Sequence, residues 1–455
     1  MKTPNKFSKY LDRIPQMCYK CGRFHDVNSD SQDLSVNLSD AVTKGLNHPR
    51  MLSKNSIRRR QFLLGLAGTS ALGVLSNCAA SPDPNSQGNS SGVMLEKTQL
   101  RIGFLPIACA TPILICESLN LYEKYGLDVQ LVKMNSWEQI RESAIAGELD
   151  AYHMLSPMPI AISLGLESRR FPIRLASIQN INGSAITVAI KHREKVKTAE
   201  DFKGFRIAIP FNHSMHNLLL RYYLANSKVH PDRDVELVVT PPPNMLNRLR
   251  SGEIDAMVAP EPFNQIAINQ GLGFIHLLTR DLWPGHPCCS FTTSQEWIDR
   301  YPNTFRAINK AIIEGSYYAS QSQNRTDVAR RLAQLQYLDA SEDVLRQVMT
   351  GQFVNRLGES LNIPDRIDFD PYPWKSFSYW ITSQFERWGY APMGSLNHEA
   401  IAANMFLTGL ARQMAKQLGQ QPPTITLRYE SLKFDTFDPS QPENYARQQI
   451  EKLGF

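Results

Sequence analysis

A chain of 455 residues with 42% hydrophobic and 20% charged residues carries enough apolar surface for at least one large core, and its length points to two or three domain-sized units. The formal charge of +6 hints at nucleic acid only until it is located, because residues 1–60 hold 12 Lys and Arg against 5 Asp and Glu. The remainder is close to neutral and has no field for a phosphate backbone, which argues against nucleic-acid binding.

Residues 1–50 are polar and show no sustained period, so they read as a disordered upstream extension with Met51 as the working start. Cys18, Cys21 and His25 in "CYKCGRFH" amount to half a zinc site. Residues 51–78 have the order of an export signal: a basic stretch at Arg58 to Arg60, an apolar run from Phe62 to Leu75, and small residues around Cys78. Arg59 and Arg60 resemble the twin-arginine type of signal. "LSNC" resembles a lipobox, which would make Cys78 the lipidated first residue of the mature protein and attach it to the membrane. Asn77 departs from the Gly or Ala usual before that cysteine, so a cleaved soluble form stands as the alternative. The apolar run is shorter than the ~20 residues that span a bilayer. Residues 79–98, with "SPDPNSQGNSSG", read as a flexible tether.

The body alternates short β-branched runs with amphipathic stretches. Strands are predicted at 100–104, 127–132, 151–155, 174–178, 185–190, 205–210 and 235–239, with helices at Thr111–Lys124, Trp137–Ala146, Ser214–Asn226 and Asn244–Arg250. The phrases "IRESAIAGELDAYHM" and "LNRLRSGEIDAMVA" repeat one step: a helix ends at Gly, then come Glu, an apolar residue, Asp-Ala and a strand. Two similar α/β lobes account for this, and a cleft between such lobes is where small molecules bind. Beyond residue 295 the pattern turns helical, with capping residues at Ser294, Thr326 and Ser341. The polar, proline-bearing segment 422–455 is expected to wrap the surface.

Five stretches carry a family resemblance: "IGFLPIACATPILICESLNLYEKYGLDVQLVKMNSWEQIRE", "DAYHMLSPMPIAISLG", "LANSKVHPDRDVELVVTPPPNMLNRLRSGEIDAMVAPEPFN", "LLTRDLWPGHPCCSF" and "FERWGY". In this order they resemble the nitrate- and bicarbonate-binding lipoproteins of ABC importers and, more broadly, the sulfonate, taurine and thiamine-precursor binding proteins. The resemblance implies an α/β type II periplasmic-binding-protein fold. Its two lobes would be residues 99–184 and 185–290, with 291–421 as a helical C-terminal part completing lobe one. Hinges are expected near Asn182-Gly183 and near Cys288 to Thr292. It also implies a protein outside the cytoplasm that hands a small anion or small polar solute to a membrane permease and its ATPase, with no cofactor and no turnover.

Small oxyanions are held by neutral donors and helix N-termini. Trp137 opens a helix and offers an indole N–H; by resemblance it matches a ligand-contacting tryptophan. His216 sits in the first turn of a predicted helix and matches an anion-contacting histidine, whereas His213 is expected at the surface. Ser184 stands where nitrate binders carry glutamine. Glu261 in "PEPFN" matches a Glu-Pro-Trp segment; either its backbone lines the cleft or its carboxylate holds the hinge. Cys289 stands where the nitrate branch has a lysine and Cys109 where it has an aspartate, so two neutral thiols replace a cation and an anion. The resemblance therefore implies a specificity different from nitrate.

Three roles compete for the cysteines. A bridge between Cys109 and Cys289 would lock the cleft. A metal or metal complex could draw on Cys109, Cys288, Cys289, His153, His213, His216 and Met215, although the body has no HxH or CxxC pair to fix two ligands on one element. An enzyme of the thiamine-precursor-synthase kind would use a histidine and cysteines in chemistry, but the cysteine-rich iron motif of those relatives has no counterpart here.

Overall fold

The computed structural model describes residues 94–455 together with one antiparallel pair of two-residue strands, β1 (Gln16–Met17) and β2 (Phe24–His25). Arg59, Arg60, Cys78, Cys18 and Cys21 lie outside the described residues.

Two sheets organise residues 94–455. The first contains β3 (Gln99–Phe104), β4 (Asp128–Lys133), β5 (Ala151–Leu155) and β6 (Ile173–Asn182). The chain then crosses to the second sheet, made of β7 (Ser184–Ala189), β8 (Arg206–Ile209), β9 (Glu236–Val239), β10 (Ala256–Pro260) and β11 (Gly273–Leu278). It returns to the first sheet through β12 (Pro287–Ser294); a hairpin of β13 (Gln352–Val354) and β14 (Ser360–Asn362) precedes the edge strand β15 (Ile367–Asp368). The orders are β15-β6-β12-β5-β3-β4 and β11-β7-β10-β8-β9. In each sheet three strands run parallel, and a strand that has just crossed between sheets, β12 or β7, pairs antiparallel beside them.

The repeated sequence phrase is a repeated corner. In lobe one Gly147 takes φ 74°, and the Asp150 carboxylate at the foot of β5 accepts the Arg101 backbone N–H at 2.9 Å. The Arg101 side chain donates to the Glu148 carbonyl at 2.7 Å. Lobe two does the same: Gly252 takes φ 76°, Asp255 accepts the Arg206 N–H at 3.1 Å, and Arg206 donates to the Glu253 carbonyl at 3.1 Å. Positive φ lets the helix stop in one residue, and the aspartate takes up a backbone donor that the neighbouring parallel strand leaves free. The following strands, "AYHML" and "AMVAP", are buried along their whole length, as central strands covered on both faces are.

Several boundaries differ from expectation. The tether was expected to reach residue 98, yet Glu96 caps the helix Pro302–Ser320 by accepting the N–H groups of Asn303 and Thr304, and Lys97 pairs with Asp150 at 2.6 Å. The helix expected over Thr111–Lys124 is two, Thr111–Ser118 and Leu121–Lys124, because Asn120 between them adopts φ 56°. Ser294 and Ser341 cap helices as expected, whereas Thr326 lies inside the helix Arg325–Leu335, into which a 3-10 turn runs directly. Lobe two was expected to extend to residue 290 with a hinge at Cys288 to Thr292. Those residues instead lie in β12 of the first sheet, and the return crossing is made by the residues before Pro287. Within 422–455 the residues Pro442–Leu453 form a helix that buries Ala446 and places Tyr445 in the same core as Phe377 and Trp380.

Candidate functional site

Where the sheets meet, residues of both lobes share one apolar cluster. Cys109, Trp137, Met154, Met158, Cys288 and Cys289 come from the first lobe, and Met245, Met257, Ala259 and Phe263 from the second. The lobes also touch through backbone: Ala108 N–H donates to the Glu261 carbonyl at 2.8 Å.

Trp137 is the first residue of the helix Trp137–Ile145, whose start is fixed by Ser136 accepting the Gln139 N–H at 3.1 Å. Its side chain is buried and its indole Nε1 has no hydrogen-bond partner among the described residues. The ring lies 5.4 Å from that of His153, on β5, whose two ring nitrogens also lack partners. Burial pushes the His153 pKa down to about 3, so the ring is neutral, with one donor and one acceptor nitrogen.

From lobe two, the helix Met215–Asn226 begins behind Ser214, which accepts the Asn217 N–H at 3.0 Å. His216 thus stands in the first turn, at the end of the helix where backbone N–H groups have no intrahelical acceptor. Its Nε2 is 2.9 Å from the Ser184 hydroxyl, while its Nδ1 has no partner among the described residues. Burial holds its pKa below the ordinary histidine value. Ser184 Oγ in turn lies 3.6 Å from Cys288 Sγ. His286 completes this side: Nε2 is 2.9 Å from Thr279 Oγ1, and burial pushes its pKa down to about 4.

The cysteines close the ring. Cys288 Sγ is 3.9 Å from both Cys109 Sγ and Cys289 Sγ, and all are free thiols. Burial pushes Cys109 and Cys289 well above the ordinary thiol range. The bridge between lobes considered for Cys109 and Cys289 does not arise, because Cys109 follows β3 and Cys289 lies on β12, both in the first lobe. Cys116 is remote, with its thiol donating to the Ala311 carbonyl at 3.2 Å.

Glu261 presents its carbonyl to the seam, but its carboxylate is fully engaged. Arg366 donates to it from Nη2 at 2.6 Å and from Nε at 3.1 Å, and both side chains are buried. His213, expected at the surface, is 2% exposed. It packs against Tyr390 and Phe385 of "FERWGY", at ring separations of 4.9 and 5.4 Å, because the loop before the His216 helix folds beneath that stretch.

The sequence reading missed Arg366, His286 and Asn180. Asn180 Oδ1 accepts the Cys289 backbone N–H at 3.2 Å, and Asn180 Nδ2 donates to the Asn182 carbonyl at 3.1 Å. Their only signal was the proximity of Asn180 to the first crossing and of His286 to the cysteines.

Two α/β lobes joined by paired crossings, with neutral polar groups buried at the seam, define a type II periplasmic-binding-protein fold. Residues 94–333 match the NMT1-like family, and the chain belongs to it. It is 28% identical to the nitrate/nitrite binding protein NrtA of Nostoc sp. over 86% of this chain and 97% of that protein. It is 33% identical to the nitrate import ATP-binding protein NrtC of Synechocystis sp., over 65% of this chain and 47% of that protein. The crystal structure of the periplasmic nitrate-binding protein NrtA from Synechocystis superposes with a TM-score of 0.74 at 25% identity, covering 78% of this chain and 99% of that one.

Proposed function

We propose that this protein is the extracytoplasmic solute-binding component of an ABC importer, taking a small anion or small polar solute between its lobes without turning it over. The observation that carries this reading is that each lobe brings to the seam a buried group left unsatisfied among the described residues, Trp137 Nε1 and His216 Nδ1. On one side the Trp137 ring lies against His153, and on the other His216 reaches Cys288 through Ser184. Burying polar atoms without partners costs free energy, which a hydrogen-bonding solute would offset. The relatives named for nitrate, one of them an import ATPase, support an anion as the solute class and a permease with its ATPase as partners.

The solute differs from nitrate in how it is held. At the seam the carboxylate of Glu261 is neutralised by Arg366, and the positions of Cys109 and Cys289 supply thiols. Ser184 engages His216 rather than reaching further as a glutamine amide would. We propose that Ser184, His216, Trp137, Cys109 and Cys289 contact the solute, with Glu261 shaping the cleft through its backbone, which is bonded to Ala108 and Gly183. Among the described residues no helix is long and apolar enough to cross a membrane. We propose that Cys78 attaches the protein to the membrane.

Isothermal titration of the purified protein against nitrate, nitrite, bicarbonate, cyanate and alkanesulfonates tests the reading. Saturable one-to-one binding of one of these, weakened by His216→Ala, is the expected result. Tight nitrate binding that survives Cys109→Ser and Cys289→Ser would remove the thiols from the account of specificity, and turnover of the bound compound would replace transport by catalysis. Mass measurement of the mature N-terminus decides between a lipidated Cys78 and a cleaved soluble form.

A further inference from the structure

Cys288 and Cys289 are neighbours on a strand, where consecutive side chains point to opposite faces. Here both thiols nevertheless face Cys109. The pairing of β12 with β6 is irregular on either side of Cys289, between Pro287 and Cys289 and again between Cys289 and Ser290. A bulge of this kind re-aims a side chain. It is held by Asn180, whose side chain takes the Cys289 N–H. The turn Ala108–Ala110 brings Cys109 in from the end of β3. The outcome is three buried sulfur atoms lying within 4.8 Å of one another, two of the pairs at 3.9 Å.

That spacing has a chemical meaning. A tetrahedral ion with metal–sulfur bonds of ~2.3 Å separates its thiolate sulfurs by about 3.8 Å. Three thiols packed only as small apolar groups need no particular spacing and no bulge to bring them together. The surroundings are also polar in a specific way: the Ser184 hydroxyl is 3.6 Å from Cys288 Sγ, with His216 behind it, and among the described residues both ring nitrogens of His153 and Nδ1 of His216 are buried without a partner. Thiolate donors with imidazole nearby select soft or borderline ions over Ca²⁺ and Mg²⁺.

We propose that Cys109, Cys288 and Cys289 form a three-thiolate site for a soft metal ion of the Zn²⁺ or Cu⁺ class, with its fourth position turned toward Ser184 and His216. Binding would release the thiol protons and leave one coordination position at the seam open to a further donor. All three ligands belong to the first lobe, so the site stands whether or not the lobes close on a solute.

The test is anaerobic titration of the reduced full chain with Co²⁺, read by thiolate-to-cobalt charge-transfer absorption, followed by competition with Zn²⁺ and Cu⁺. Cys18→Ser, Cys21→Ser and Cys78→Ser form the background, so that only thiols of the body report. One equivalent of Co²⁺ with strong charge transfer is expected. Cys109→Ser, Cys288→Ser or Cys289→Ser should each weaken binding by at least about 100-fold. Cys116→Ser, which removes an equally buried but remote thiol, should leave it unchanged. Circular dichroism and a thermal melt on each metal-free variant separate loss of ligand from loss of fold. Absence of charge transfer in the folded protein, or a signal that survives Cys288→Ser, overturns the proposal. Solute titration on metal-free protein proceeds separately, so either reading can fail alone.

Discussion

The Arg366 guanidinium and the Glu261 carboxylate meet at 2.6 Å where the lobes join, and neither side chain reaches water. Arg366 comes from the segment before β15 and Glu261 from the end of β10, so the pair ties the C-terminal part of lobe one to lobe two. Backbone reinforces the knot: Gly183 donates to the Arg366 carbonyl at 2.8 Å, and Glu261 donates to the Gly183 carbonyl at 3.0 Å. Removing one partner leaves a buried charge uncompensated. Arg366→Met should therefore destabilise by about 3–5 kcal/mol, whereas Arg366→Met combined with Glu261→Gln should recover much of it. Chemical denaturation of the two single variants and the double variant closes the cycle; purely additive losses would show that the pair does not act as a unit.

Trp137 separates binding from packing. Its indole N–H makes no hydrogen bond among the described residues, so Trp137→Phe removes a donor that their fold does not use while keeping an aromatic ring in place. Solute affinity should fall about tenfold, the worth of one hydrogen bond, with stability falling by about 1 kcal/mol at most. Unchanged affinity with a large loss of stability would make the tryptophan a core residue alone.

Much of the fold was legible because its signals are local. The short β-branched runs mark seven strands within a residue or two at most ends, and the doubled Gly-Glu-apolar-Asp-Ala phrase announces the two corners at Asp150 and Asp255. β11 and β12 were missed: "GFIHLL" gives little alternation, and "PCCSF" follows a His-Pro turn and reads as part of a loop. That miss shifted the expected second hinge into a strand. The partners of the site were harder still. Arg366 lies 105 residues from Glu261, and the convergence of Cys109 with Cys288 spans 179 residues, so only the assembled sheet order brings them together.

His276, on β11, makes stability depend on pH. Its Nε2 is 2.7 Å from the Tyr223 hydroxyl and its ring packs on Phe202 at 5.1 Å. Burial pushes its pKa from 6.5 down to about 4, with the Asp201 carboxylate partly opposing. The unfolded chain therefore binds a proton below pH ~6.5 that the folded state refuses until pH ~4, so stability falls as pH drops through that window. The contribution amounts to about 2–3 kcal/mol at pH ~4. Urea denaturation at pH ~7 and pH ~4 should show a loss that shrinks by about that amount in His276→Gln; an identical loss would place the titration elsewhere.

Gly183, the single residue between β6 and β7, carries the last prediction. Its φ is 80°, and a Cβ there would sit 2.6 Å from Asn180 Nδ2 and 3.0 Å from the Ile367 side chain. Gly204 offers a matched control, with φ 81° and nothing within 4 Å of an added Cβ. Gly204→Ala should cost only the strain of a left-handed alanine, about 1 kcal/mol. Gly183→Ala carries the same strain and also displaces Asn180, the residue that holds the Cys289 N–H and so the bulge beneath the thiols. It should cost at least about 1 kcal/mol more than the control and weaken solute binding as well, while Gly204→Ala leaves affinity untouched. Equal losses of stability in the two variants, with affinity unaffected in both, would show that the crossing at Gly183 and the seam are not mechanically connected.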